Sequence, residues 1–360
     1  MIKGMDPRAR NCIINEANRE TVMKAAIIKK KRVLSVEDIE KPGIAGNEVL
    51  VKIKASGVCG TDVHVYEDEV PIAKLPVIPG HEFCGEVEAI GKDIKDVKIG
   101  DRIAVEPNLF CGQCHFCRTA KKHFCENWAA VGLTRSGGFA EYCAVPRQAV
   151  YKIEDKLGFN EAAFFEPVAC VLHGIERSQL KAGDSTVVMG AGSIGLIYVQ
   201  ALKALGVKNV ISCDIDDKKL SIAKSLGAAK VLNTNKDDVV SIVKEMTNGL
   251  GVESVIDAAG AKSTLSLAFN LVQNCGTIVV FGVPTEPMEI NMYDIYRREI
   301  SVVGSFTNPY TNEQALKLLA AGKIKFDQIV THPVTIDGVE AAILKMRDKT
   351  ETVIKAQIRF

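Results

Sequence analysis

Thr186-Val-Val-Met-Gly190-Ala-Gly192-Ser193-Ile194-Gly195 joins an apolar run to three glycines spaced Gly-x-Gly-x-x-Gly. The run reads as a buried strand, and a helical pattern follows the last glycine. In that setting the first glycine permits a tight turn. The second lets a pyrophosphate approach the backbone, and the third lets helix and strand pack closely. Ser193 and Ile194 then open a helix whose N-terminus faces the phosphates. Asp214 ends the next candidate strand, 24 residues after Gly190. A carboxylate there suits a ribose 2′-hydroxyl and disfavours a 2′-phosphate, so NAD is expected. Lys218 and Lys219 are cations that could accept the extra phosphate of NADP, but Asp214 should prevail because it lies at the strand end itself.

Outward from this stretch the pattern continues. Candidate strands at 186–190, 209–213, 229–232, 253–257, 276–281 and 300–304 alternate with helices at 194–205, 217–226, 237–247 and 262–272. That alternation predicts parallel βαβ units, a doubly wound α/β sheet. Upstream, short strands broken by Gly and Pro predict a β-rich region over about 23–150. Residues 160–179 carry apolar groups at helical spacing. Pro167 is a possible first helical residue there. The stretch after 309 mixes helix and strand and is expected to return to the first region. Residues 1–22 show no period and are expected to be a disordered extension.

The chain has 360 residues, more than one domain usually holds. With 45 Lys and Arg against 44 Asp and Glu, no charge excess points to nucleic acid. No apolar stretch is long enough to span a bilayer, and the first 22 residues lack the apolar core of a secretory signal. Eleven cysteines are an odd number in a long chain. They read as thiols of a reducing, cytoplasmic protein rather than as a disulfide scaffold.

Four of those cysteines are closely spaced: Cys111-x2-Cys114-x2-Cys117-x7-Cys125. Four thiolates match tetrahedral zinc, or an iron–sulfur cluster, and leave no position open for substrate. A structural zinc is expected. Cys59, in Gly57-Val-Cys59-Gly60-Thr61-Asp62, and His81, in Gly80-His81-Glu82, offer a thiolate and an imidazole for a second zinc. Its third ligand should come from elsewhere. Glu166, between Phe165 and Pro167, is the first choice, with Glu82 and Cys170 as rivals. Zinc at an open site lowers the pKa of a substrate hydroxyl. Thr61 can hydrogen-bond the alcohol, His64 can carry its proton away, and Asp62 can orient His81. Tyr66, Glu67, Asp68 and Glu69 could bond a substrate or form a solvated face.

From about Met23 to the C-terminus the chain resembles the zinc-containing medium-chain alcohol dehydrogenases. The resemblance rests on Gly57-Val-Cys59-Gly60-Thr61-Asp62-Val-His64, Gly80-His81-Glu82-Phe-Cys-Gly85, the cysteine lobe, Gly137-Gly-Phe-Ala-Glu-Tyr142 and the glycine loop. It implies a GroES-like catalytic domain at 23–173, with the zinc lobe at 108–128. A Rossmann domain follows at 174–308, and 309–360 returns to the first. It also implies a homodimer or homotetramer, catalytic zinc on Cys59, His81 and Glu166 with Glu82 nearby or ligating, and structural zinc on the four cysteines. Glu106-Pro107, Phe165-Glu166-Pro167 and His173-Gly174 resemble the sorbitol-like branch. There a secondary hydroxyl of a sugar alcohol, sugar or polyol phosphate is oxidised with NAD. Phe306-Thr307-Asn308 lacks the arginine that the animal sorbitol enzymes carry. L-Threonine 3-dehydrogenase and butanediol or secondary-alcohol dehydrogenase are the alternatives, and an inactive zinc- and NAD-binding protein is the non-enzyme one.

Overall fold

The computed structural model describes residues 21–284 and 286–360. The extension expected at 1–22 lies outside these except for Thr21 and Val22. Val22 already belongs to the first strand, one residue before the expected start.

The N-terminal part begins with a hairpin of β1 (Val22–Lys30) and β2 (Val33–Glu40). It continues through β3 (Glu48–Val58), β4 (Glu82–Ile90), β5 (Arg102–Val105), β6 (Asn108–Leu109), β7 (Ala129–Ala130), β8 (Tyr142–Pro146) and β9 (Val150–Lys152). The central strands bury nearly every side chain on one or both faces, so apolar and small residues dominate them. The parallel sheet comprises β10 (Ser185–Met189), β11 (Asn209–Asp214), β12 (Lys230–Asn233), β13 (Val252–Asp257), β14 (Val272–Val280) and β15 (Ser301–Gly304). Its order is β12-β11-β10-β13-β14-β15, so the chain reverses direction across the sheet between β10 and β13. The C-terminal ends of those two strands border the crevice where open α/β sheets bind ligands.

The last two strands, β16 (Val330–Val334) and β17 (Lys355–Arg359), join the N-terminal sheet. Its order is β16-β17-β3-β4-β5-β9, with β8 also on β3. The register decides the chemistry. Ala356 pairs with Val58 and Gln357 with Gly57 on one side of β3, while Glu82 pairs with Gly57 on the other. The strand-end residues Cys59, Glu82 and Lys355 are therefore brought together by backbone pairing alone.

The helix Phe165–Ser178 joins the two sheets. Phe165, Val168, Val171 and Leu172 are buried on it, in one core that also takes in Ala55, Cys84 and Ala104 from one sheet and Val188 and Ile256 from the other. Each large apolar side chain so buried contributes about 1.5–3 kcal/mol. The helix starts two residues before Pro167, which occupies the first turn rather than the first position. Proline fits there because first-turn N–H groups lack intrahelical partners. Gly174 is required by packing, since a Cβ would overlap the Tyr198 hydroxyl. The helical spacing over 160–179 divides into two helices, Phe159–Ala162 and Phe165–Ser178. Among the described residues no helix is long and apolar enough to cross a membrane.

Candidate functional site

Cys59 follows β3 directly and is the N-cap of a short helix, Gly60–Tyr66. Asp62 locks that turn. Its carboxylate accepts the Cys59 N–H at 2.8 Å and the Gly80 N–H at 3.3 Å. Gly80 has φ +92°, and a Cβ there would run into Phe139, so only glycine lets the chain turn at that point into His81. His81 Nδ1 lies 3.6 Å from Asp62 Oδ1. One buried carboxylate thus fixes the backbone before both Cys59 and His81 and faces the imidazole as well.

The ligand atoms of Cys59, His81 and Glu82 all lie within 4.8 Å of one another. Glu166 is outside that trio but close by. It is half-buried, and its carboxyl is pushed up by desolvation, drawn down by His81 and pushed up again by Glu82. The Cys170 thiol donates to Glu166 Oε1 at 3.1 Å. Burial alone would lower the His81 pKa. The charges of Asp62, Cys59 and Glu166 outweigh it and hold the imidazole well above its ordinary value. A surplus of negative ligands around one buried imidazole is what a divalent cation neutralises, and a thiolate, an imidazole and carboxylates suit zinc.

Sequence reasoning missed Lys355. It is almost fully buried and forms an ion pair with Glu82 Oε2. Burial would lower its pKa, but the charges of Glu82 and Cys59 hold it raised. No local motif marks it. Only the pairing of β17 with β3 reveals it. Thr61 Oγ1 is 3.7 Å from Cys59 Sγ. His64 is half exposed, with Nδ1 2.8 Å from Glu69 Oε2. Tyr66 and Glu67 serve neither of their expected roles. The Tyr66 hydroxyl donates to Arg32 O and to Glu340, and Glu67 pairs with Arg32 and Arg347.

The sulfurs of Cys111, Cys114, Cys117 and Cys125 form a second cluster, again within 4.8 Å. N–H groups of Gln113 and Cys114 draw the Cys111 thiol down to about 6, towards the thiolate a metal needs. The lobe's helix, His115–Arg118, buries no residue, so an ion supplies what the missing core cannot.

At the crevice, Gly190 has φ +95°. A Cβ on Gly195 would overlap Gly190 O, whereas Gly192 has open space. Gly192 is the N-cap of the helix Ser193–Ala204 and supplies no side-chain cap. The first-turn N–H groups, beginning with Ser193 and Ile194, are left for an anion. Asp214 accepts the Ala191 N–H at 2.7 Å and the Asp216 N–H at 2.9 Å, so its carboxylate is anchored to the glycine loop. Lys219 sits in the next helix, Asp217–Ser225, with its N–H on the capping Asp216. This cradle fits a dinucleotide.

A buried polar chain, also unforeseen, ties the N-terminal domain to the turn after β15. Trp128 Nε1 donates to Asn108 Oδ1 at 3.2 Å, and Asn108 Nδ2 to Asn308 Oδ1 at 2.6 Å. Asn308 Nδ2 donates to Asn312 Oδ1 at 2.8 Å, and Asn312 Nδ2 in turn donates to Glu106. Lys122 and the Tyr151 hydroxyl reach the same carboxylate at 3.4 and 3.3 Å.

Comparison with known proteins agrees with this geometry. Residues 45–155 match the alcohol dehydrogenase GroES-like domain, and 193–321 match the zinc-binding dehydrogenase domain. An alcohol dehydrogenase of Geobacillus stearothermophilus is 35% identical, over 92% of this chain and 99% of that one. D-arabinitol dehydrogenase 1 of Uromyces fabae is 34% identical, over 91% and 95%. The solved zinc-binding dehydrogenase of Sinorhizobium meliloti, bound to NADP, superposes with a TM-score of 0.89 at 34% identity, over 94% and 100%. With a GroES-like sheet, a dinucleotide crevice and two metal-ligand clusters, the chain belongs to the zinc-binding medium-chain alcohol dehydrogenase family.

Proposed function

We propose that this protein reversibly oxidises a secondary hydroxyl of a sugar alcohol, with NAD as the partner. The observation that carries the reading is the convergence of Cys59, His81 and Glu82 within 4.8 Å, with Glu166 beside them. The resemblance to the arabinitol enzyme supports the polyol class. When bound, zinc supplies Lewis acidity at the hydroxyl oxygen and NAD accepts the hydride.

The chain's own residues do the rest. Cys59, His81 and Glu166 hold the reactive zinc. Glu82, which converges with Cys59 and His81 and is ion-paired with Lys355, is the alternate carboxylate. Asp62 faces His81 Nδ1 and leaves Nε2 for the metal. Thr61 hydrogen-bonds the substrate hydroxyl, and His64, half exposed, passes the proton to solvent. Cys111, Cys114, Cys117 and Cys125 hold the structural zinc. Gly190, Gly192, Ser193, Ile194 and Gly195 seat the pyrophosphate. Asp214 bonds the adenosine ribose, with Lys219 at its edge. Both oxygens of Asp214 already accept backbone N–H groups, so the carboxylate stays put and repels a 2′-phosphate. A homodimer or homotetramer in the cytoplasm completes the reading. Free cysteines throughout the described residues support a reducing compartment, and light scattering tests the assembly.

The test is NADH formation by zinc-loaded protein over pentitols, hexitols, their phosphates, butane-2,3-diol and L-threonine, each repeated with NADP. Preferred turnover of a free polyol with NAD is expected. Turnover of threonine alone, or none at full zinc content, overturns the reading.

A further inference from the structure

Glu166 stands in the first turn of the helix Phe165–Ser178, and Cys170 stands one turn further on, four positions away on the same face. The Cys170 thiol donates to Glu166 Oε1 at 3.1 Å. The backbone beneath the pair is fixed, because Phe165, Val168, Ala169, Val171 and Leu172 all sit in the core that joins the two sheets. The glutamate side chain is not fixed by that packing. It is long and flexible, and ordering it costs rotamer freedom. Among the described residues the Cys170 thiol is the one hydrogen-bond donor to this carboxylate.

The neighbouring ligands have an orienting partner of their own. Asp62 accepts the Cys59 and Gly80 N–H groups and faces His81 Nδ1. Cys170 is the matching partner for Glu166. A thiol is a weak, neutral donor. It can orient a carboxylate without placing a positive charge where a metal ion must bind. With Oε1 engaged, Oε2 is the oxygen left for the ion. That favours ligation through one oxygen, in keeping with the four-coordinate geometry of zinc, over a chelating carboxylate. As a donor the sulfur carries its proton, whereas zinc binds thiolate, so Cys170 acts through the carboxylate and not as a ligand.

We propose that Cys170 is a positioning residue for the reactive zinc: its thiol holds the Glu166 carboxylate in one rotamer and leaves Oε2 as the ligating oxygen. The proposal rests on the assignment of Glu166 as a ligand and names the residue that orients it. The test is cobalt affinity at the reactive site, by chelator competition on protein whose cysteine lobe keeps its zinc. The variants are Cys170→Ala, Cys170→Ser, Glu166→Ala and the double variant of Glu166→Ala with Cys170→Ala. Partners that orient a metal ligand are worth about 10- to 100-fold in affinity, and a weak S–H donor belongs at the lower end, so Cys170→Ala should weaken cobalt about tenfold. Cys170→Ser, whose hydroxyl still donates, should recover most of that loss. In the Glu166→Ala background the Cys170→Ala change should alter affinity less than about twofold, because the partner is gone. Equal losses in both backgrounds would show a packing role and overturn the proposal. A fall in thiolate-to-cobalt charge-transfer absorption in Cys170→Ala would make Cys170 a ligand and overturn it as well. Infrared difference spectra read the hydrogen bond itself, with the reactive site empty. The S–H band lost in Cys170→Ala should move to higher frequency in Glu166→Ala, and an unmoved band rejects the contact. If Glu166→Ala leaves cobalt affinity within about twofold of wild type, the ligand assignment fails and the proposal with it. If Glu166→Ala weakens cobalt and Cys170→Ala does not, the proposal alone fails.

Discussion

Asp62→Asn isolates the role given to one buried carboxylate. Asp62 is fully buried, accepts N–H groups from Cys59 and Gly80, and faces His81 Nδ1 at 3.6 Å. Asparagine preserves the shape but keeps only one acceptor oxygen, so its NH2 is turned towards one of the N–H donors or the ring. A hydrogen bond to a charged group contributes about 1.5–3 kcal/mol, so loss of one destabilises the fold by about 2 kcal/mol. The metal loses the carboxylate that orients its imidazole, which lowers affinity about 10- to 100-fold. Removing a negative charge beside a dication acts in the same direction. Two assays keep the effects apart. Melting of the zinc-free protein reports the fold, and chelator competition, followed by cobalt spectra at the reactive site, reports the affinity. The lobe's zinc should be retained. A folded Asp62→Asn variant whose reactive site binds zinc within twofold of wild type would refute the role of Asp62.

Cys114→Ser should remove one zinc per chain and lower the melting temperature by several degrees, read by metal analysis and calorimetry, because the lobe has no core of its own. Asp214→Ala should raise KM for NAD at least tenfold and shift the NADP-to-NAD ratio of kcat/KM upwards, as steady-state kinetics would register. His173, drawn down to about 4 mainly by burial, makes stability acid-sensitive. Between about pH 6.5 and 4 the unfolded chain binds the extra proton, so stability falls as pH falls through that window. The full shift would be about 3 kcal/mol, and partial exposure reduces it to about half. Urea midpoints at pH 7 and 4.5 should therefore drop less in His173→Leu than in wild type.

Where chemistry is written into contiguous residues, the sequence was readable. The glycine loop needs Gly190 and Gly195 for steric reasons visible as spacing, and Asp214 stands where its strand ends. The cysteine lobe and the Gly80-His81-Glu82 turn are likewise local. Alternating strands and helices disclosed the parallel sheet because fully buried strands read as apolar runs. The helix Gly60–Tyr66 went unseen because seven residues carry too little period. Lys355 went unseen because its partner Glu82 is set by long-range strand register. The Glu106–Asn312–Asn308–Asn108 chain is equally invisible, since nothing local pairs polar residues that stand 200 or 206 positions apart. Glu166 was picked out by its aromatic neighbours, and those neighbours are indeed core.

The central claim is that a zinc ion sits between Cys59, His81 and a carboxylate, facing the dinucleotide crevice. Anomalous diffraction at the zinc edge from crystals grown with NAD tests it most directly. The account predicts two peaks per chain. One should lie among the four cysteine sulfurs, and the other about 2.0–2.3 Å from Cys59 Sγ, a His81 nitrogen and a Glu166 or Glu82 oxygen. A single peak, in the cysteine lobe alone, would contradict it.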